Sequence, residues 1–534
     1  MVTCIPATIL ATVLIAALVQ AEERFQNFDR DPGWEGHNNR AAAPVPQAVR
    51  QDFGYSRTRH CGGDPPGELG GFLTPAAEPA WYAKRVGRAA PAGPRENDGP
   101  GGLSCGLGAA GGHSPPYAEG ALKPLTFDDR LTASGKLACT GRQFHVLVGF
   151  FNSGTVNEWR TPNSIVLRLY GRGDVFYAYV EYATSRWRAG GDSPGGFATI
   201  DDPDTGRQQL RGFASNGTVH TWSLTYDPAG NDGGGSITAT IDDQTAVCHL
   251  DAGHRQDGAR FDRCGLLSIP KHFDTPGEVW LDDVTINGET ERFDRDPGPG
   301  WDARDNRRTY TTHSVRPRFD FGFSPTHFAG GERPGELGGE IFRGDNRHAD
   351  RMAYYGDRLE PLTLERPLRA SGKLALRRAV SDSTVLIGFF HSRDSVAVSD
   401  SQASGFPMNF LGAAIEGPSR DGFLFYPAYR LPDGAEGYAR SPEPPHLLPD
   451  GESHAWSLDY EPQANDGAGR LTVMLDDHRT VLDFAAGDRL APARFDRFGI
   501  VTTWIDGNSQ HVYFDDLRYT FRQAERRARD AGRE

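Results

Sequence analysis

Apolar and polar residues alternate with a period of two through most of the chain, the pattern of strands with one buried face. In Asp174–Tyr182, Phe176, Ala178, Val180 and Tyr182 form one apolar face, and Tyr177, Tyr179 and Glu181 fall on the other. His145–Phe151, Ser164–Tyr170, His220–Tyr226, Ser236–Ile241 and Val279–Ile286 are runs of the same kind, rich in β-branched or aromatic residues. Glycine, Asp-Pro or Asn-Asp-Gly separates them, which predicts strands joined by turns. Asn231-Asp232-Gly233 and Asn465-Asp466-Gly467 each lie between two such runs and predict hairpins. Only the charged tail, Gln523 to Arg533, reads as helix.

The pattern is written twice. Phe28-Asp-Arg-Asp-Pro-Gly-Trp34 returns as Phe293-Asp-Arg-Asp-Pro-Gly-Pro-Gly-Trp301. Pro66-Gly-Glu68-Leu-Gly-Gly71 returns as Pro334-Gly-Glu336-Leu-Gly-Gly339, and His220-Thr-Trp222 as His454-Ala-Trp456. The offset between copies falls from 273 near Tyr82/Tyr355 to 237 at Leu122/Leu359, so the first copy carries an insertion of 36 residues (273 − 237). It spans residues 86–121, rich in Gly, Ala and Pro, and reads as a surface loop. The expected division is a leader at 1–21, a first module at 22–290, a second at 291–521 and a tail at 522–534. The fold class expected is all-β, two tandem antiparallel sandwiches of jelly-roll type, closely packed because almost no linker separates them.

Composition narrows the partners. A formal net charge of −14 opposes a nucleic-acid footprint, which needs a positive field. Residues 5–21 are almost wholly apolar and end in Val19-Gln20-Ala21, the pattern of a cleaved secretory signal, with an uncleaved anchor as the alternative. The expected location is secreted, periplasmic or cell-surface. Removing the leader leaves five cysteines of six, an odd number that argues against a disulfide framework. Cys139, Cys248 and Cys264 are replaced by Leu376, Leu482 and Phe498 in the second copy and read as apolar core; a Cys61–Cys105 bridge is an open possibility.

The stretch Trp222-Ser-Leu-Thr-Tyr226, a glycine turn, Ser236-Ile-Thr-Ala-Thr-Ile-Asp242 and Thr245-Ala-Val resembles the laminin-G-like part of the concanavalin A-like lectin/glucanase superfamily. Trp456–Tyr460 and Leu471–Asp476 repeat it. Each copy also ends in an Asp-Asp strand, Asp282-Asp283 and Asp515-Asp516, similar to the last strand of many jelly-roll carbohydrate-binding modules. The resemblance implies a sandwich fold and a polysaccharide or glycan partner.

Three kinds of site follow. Asp29 and Asp31, or Asp294 and Asp296, together with Asp283 or Asp516, offer oxygen ligands for a structural calcium; jelly rolls of the resembled kind often hold one where first and last strands meet. The alternative is that arginines, Arg30, Arg295, Arg263 or Arg497, or backbone N–H groups satisfy these carboxylates. Tyr177, Tyr179 and Glu181, with Trp187 just beyond and Tyr426 in the second copy, suit stacking on sugar rings and hydrogen bonding to hydroxyls. The alternative is packing under a loop or against the second copy. The superfamily's glucanases carry Glu-x-Asp-x-x-Glu on one strand, and this chain has no such motif. The expected function is therefore non-catalytic carbohydrate binding, with a glycan-cleaving enzyme of unrecognised acid pair, or a structural envelope or adhesion protein, as alternatives.

Overall fold

Strands pair antiparallel throughout a computed structural model of the chain. It describes residues 22–41, 47–74, 79–88, 122–141, 144–157, 160–197, 199–201, 208–210, 212–269, 277–312, 319–342, 344–345, 347–379, 383–398, 405–440, 447–503 and 509–522. The leader, most of the 86–121 insertion and the 523–533 tail lie outside the described residues.

The alternation of apolar residues closes two separate cores. In the first sandwich, Val146, Val148, Phe150, Ile165, Leu167, Phe176 and Val180 of a front sheet face Leu137, Trp222, Leu224, Tyr226, Ile237 and Val279 of a back sheet. The front sheet runs Ala189–Gly196, Val175–Ala183, Ser164–Arg172, His145–Phe151, Arg263–Ser268, Ala80–Arg85 and Trp301–Arg304. The back sheet runs Gln244–His249, Ser236–Ile241, Asn216–Asp227, Leu131–Thr140, Gly277–Ile286, Glu68–Leu73, Gln47–Ser56 and Arg307–Thr312. The second sandwich repeats both orders with Phe319–Ser324 through His478–Asp483 behind, and Tyr354–Leu362 through Glu436–Tyr438 in front. Asn231, Asp232 and Gly233, like Asn465, Asp466 and Gly467, take left-handed backbone at the predicted hairpins, where short polar side chains and glycine are tolerated.

The expected boundary at 290/291 is corrected. The phrase at 293–301 closes the first sandwich: Phe293 and Trp301 lie in its core, Trp301–Arg304 pairs with Ala80–Arg85, and Arg307–Thr312 pairs with Gln47–Ser56. The phrase at 28–34 crosses to the second. Glu22–Gln26 pairs with the end of Ser509–Phe521, Glu35–His37 pairs with Tyr354–Leu362, and Phe28 lies in the second core. Each sandwich is thus a body, residues 47–286 or 319–521, and a strap, residues 289–312 or 22–41. The physical reason is the short reach after Gly277–Ile286: Glu289–Glu291 turns straight back onto that strand and carries Phe293 into the core just completed.

The four described cysteines, Cys61, Cys139, Cys248 and Cys264, are buried free thiols, and burial pushes each thiol pKa up.

Candidate functional site on the front sheet of the first sandwich

The outer face of the first front sheet has an unusual floor. Alternation in Val175–Ala183 turns Phe176, Ala178, Val180 and Tyr182 into the core and Tyr177, Tyr179 and Glu181 outward, as the sequence predicts. Register then sets Arg168 opposite Tyr179, and Tyr170 opposite both Tyr177 and His145. Arg168 Nε donates to Glu181 Oε1 at 2.5 Å, and its Nη1 lies 3.2 Å from His145 Nε2. The guanidinium also sits 4.1 Å from the Tyr179 ring centroid. Tyr170 stacks obliquely between His145 and Tyr177, at 5.5 and 6.4 Å between centroids. Glu181 is only 3 % exposed, so it is an ion-pair member in the floor, whereas Tyr170, Tyr177 and Tyr179 are half-buried above it. A buried charge held by its partner in this way is fixed in position.

His145, Arg168 and Tyr170 were not singled out from the sequence. Their signal is the outward position between apolar residues: Arg168 interrupts Ile165, Leu167 and Leu169 in phase with Tyr170.

The second sandwich rebuilds the face. The positions of Tyr170, Arg168, Tyr177, Tyr179 and Glu181 hold Glu416, Ala414, Leu424, Tyr426 and Ala428, by the registers that follow Gly149 and Gly388. Tyr426 is buried, donates to Glu416 at 2.8 Å, and has its phenol pKa raised by that burial; Arg440 grips the same carboxylate at 2.8 and 2.9 Å. Phe406, Phe410, Leu386 and Leu424 pack around it. Tyr426 is thus a packed hydroxyl on an ion pair, not an open ring.

Trp187 is also placed differently from the expectation. The chain leaves the strand after Ala183, and Trp187 itself has φ of 64° in the following turn. Its ring is thrown off the outer face onto the second sandwich, edge-on to Phe423 at 5.3 Å.

The aspartates do not assemble as expected. Asp31 and Asp296 accept the backbone N–H of Gly33 and Gly298, capping their own turns at 2.9 and 3.0 Å. Asp29 is half-buried and Asp294 exposed. Asp283 and Asp516 take positive φ at bulges in the terminal strands, and pair with Lys136 and Lys373 at 2.7 and 2.9 Å. The bulge sends the other member inward, so Asp282 and Asp515 are the buried pair-members. Among the described residues no group of three or more His, Cys, Asp or Glu is arranged to hold a metal ion. The arginines do bind carboxylates, but those of the straps: Arg263 pairs with Asp302 at 2.7 Å and Arg497 with Glu35.

Glu68 and Glu336 are buried clamps. Glu68 accepts the N–H groups of His60 and Cys61, and Glu336 those of Phe328 and Ala329. Burial alone would raise the Glu68 pKa, but the bonds from Thr58 and from the loop amides hold it below the usual range. His220 and His454 are structural, each bound through Nδ1 to Asp242 or Asp476 at 2.7 or 2.8 Å.

No family model and no curated protein matches the chain. Similar solved structures include domains LG4-5 of the mouse laminin alpha1 chain, at 10% identity over 91% of this chain and 99% of that one, with a TM-score of 0.22. An endo-beta-1,4-glucuronan lyase from the fungus Trichoderma reesei is similar at 13% identity over 38% and 87%, TM-score 0.26. The carbohydrate recognition domain of Emp47p is similar at 11% identity over 38% and 97%, TM-score 0.23. The fold rests on the strand pairing itself, and by that pairing the chain is an all-β protein of two antiparallel sandwiches.

Proposed function

We propose that the chain binds carbohydrate, without catalysis, on the outer front face of the first sandwich. The observation that carries this reading is the set of three half-buried tyrosines, Tyr170, Tyr177 and Tyr179, over the fixed Arg168–Glu181 pair. Tyrosine rings stack on the apolar faces of sugars, and phenol groups donate to their hydroxyls. Rigid placement lowers the entropy cost of binding. The second sandwich holds Glu416 and Leu424 at the positions of Tyr170 and Tyr177, so its equivalent face lacks the set of three tyrosines. The apolar leader supports an exported protein that meets glycans outside the cell.

A glycan array with the purified chain tests this. Tyr177→Ala and Tyr179→Ala are expected to weaken the strongest signals by on the order of tenfold each. Unchanged binding in both variants overturns the site. Release of reducing ends or unsaturated sugars from a bound polysaccharide, lost in the same variants, would make the protein an enzyme.

A further inference from the structure

Where the first sandwich passes its chain from the front sheet to the back, one triplet reads Asn216-Gly217-Thr218. Phe213–Ala214 pairs with Val175–Phe176 in front, the Ser215 N–H donates to the Asp174 carbonyl at 2.9 Å, and Asn216 stands opposite Thr140 behind. Register then slips between Asn216 and Val219, with Gly217 at φ of 87°. At this bulge Asn216 and Thr218 are exposed, and a Cβ on Gly217 would meet nothing closer than Thr140 Cγ2 at 3.9 Å.

Asn216 Oδ1 accepts the Thr218 N–H at 3.2 Å and the Thr218 hydroxyl at 2.6 Å. These two bonds turn the carboxamide oxygen back onto its own chain. Among the described residues none accepts a hydrogen bond from Nδ2. The second sandwich makes the same turn with Asp450-Gly451-Glu452: Asp450 Oδ1 accepts the Glu452 N–H at 2.9 Å, and Gly451 has φ of 80°. A carboxylate therefore suffices for the turn, which explains neither the amide nor the hydroxyl of the first copy. Asn-x-Ser/Thr, with x other than proline, is the acceptor pattern for N-linked oligosaccharide, and it occurs once in the 534 residues, at this exposed bulge. An acceptor must lie where the folded chain leaves room for a bulky, hydrated group, and Asn216 does.

We propose that Asn216 is the acceptor of an N-linked oligosaccharide during export. The site is separate from the tyrosine face and needs only the export that residues 5–21 imply. The donor class is a lipid-pyrophosphate oligosaccharide. A bond forms between Nδ2 and the anomeric carbon of its first sugar, and the bond from that carbon to the pyrophosphate oxygen breaks. The lipid pyrophosphate leaves with the electron pair, and one Nδ2 proton is lost to solvent.

The full chain is expressed with its own leader in eukaryotic cells and collected from the medium; where the medium holds none, a host secretory leader replaces residues 1–21. Peptide mass spectrometry is expected to find an oligosaccharide on Asn216, and peptide N-glycosidase to release it with conversion of Asn216 to Asp. Asn216→Asp keeps the turn that Asp450 already makes, so it is expected to be secreted and to melt as the enzymatically deglycosylated parent does, without the oligosaccharide. Thr218→Ala, which leaves Asn216 in place, is expected to lose the oligosaccharide as well, and Thr218→Ser to keep it. A secreted parent chain unmodified at Asn216, or an oligosaccharide that persists in Thr218→Ala, overturns the proposal.

Discussion

Asp515 is fully buried, with carboxylate oxygen Oδ2 lacking a hydrogen-bond partner among the described residues and lying where a Cβ on Gly331 would have to go. Asp516, Glu336 and Lys373 are the charged groups that face it, and burial is the largest influence, pushing its pKa up to about 7. Asp282 in the first sandwich is raised to about 6 for the same reason. An unfolded aspartate ionises near 3.8. The folded state therefore binds the extra proton, so the stability this group contributes is complete below pH 3.8 and is lost as pH rises to about 7. Asp242 and Asp302 are held low and act in the opposite sense, so the comparison must be made between variant and parent at each pH. Asp515→Asn is expected to be more stable than the parent at pH 7.5 by a few kcal/mol, with the difference shrinking toward pH 4. Calorimetric melting of both across that range checks it, and a constant difference would sink the assignment. At the front face, Glu181→Gln removes the charge that compensates buried Arg168, and is expected to cost on the order of 3 kcal/mol. Glu181→Leu with Arg168→Met should recover most of that loss, measured by denaturant unfolding.

At the scale of elements, the straps explain what was legible in the sequence and what was not. Period-two alternation marks which side of a strand is buried, and it placed Phe176 to Tyr182 and the tyrosines opposite them correctly. Two copies of one phrase establish equivalence, yet say nothing about which body each copy closes; that depends on a turn after Ile286 and on where residue 22 begins. Local backbone reversals hide the rest: φ near +50° at Asp283 and Asp516 swaps which aspartate is buried, and φ of 64° at Trp187 redirects an indole. The crossing of the first strap to the second body makes a distinctive prediction. Trp34→Ala, although far from the second body in sequence, should raise amide exchange across residues 319–521 and spare 47–286. Trp301→Ala should do the reverse. Trp301→Ala is expected to cost roughly 3 kcal/mol, as core large-to-small aromatic changes do, and the half-buried Trp34→Ala about 1–2 kcal/mol. Hydrogen exchange read by mass spectrometry separates the two, and protection lost in the sequence-adjacent body in both variants would refute the assignment.

The whole molecule is held together at more than the straps. Trp187 meets Phe423, Arg420 lies 3.3 Å from Asp251, and Asn157 Nδ2 donates to the Ala379 carbonyl at 2.8 Å. On the second sandwich these contacts fall on Arg420 in the turn between Phe410–Ser419 and Gly422–Arg430, on Phe423 at the start of the latter strand, and on Ala379 just after Leu368–Arg378. The arrangement divides the aromatic residues near the candidate face into two groups with separate tasks. Tyr170, Tyr177 and Tyr179 stay on the outer face, while Trp187 covers part of the second core. The ion pair at Arg420 is largely exposed and contributes little, so the indole carries most of this contact. Trp187→Ala is therefore expected to lower the stability of the second sandwich by about 1–2 kcal/mol, the loss of a half-buried apolar side chain. It should leave glycan binding within roughly twofold of the parent, whereas Tyr179→Ala weakens it on the order of tenfold. Melting and array binding of the two variants side by side decide between the roles. A Trp187→Ala chain that melts like the parent but has lost its glycan signal would return that residue to the binding face and remove it from the joint between the sandwiches.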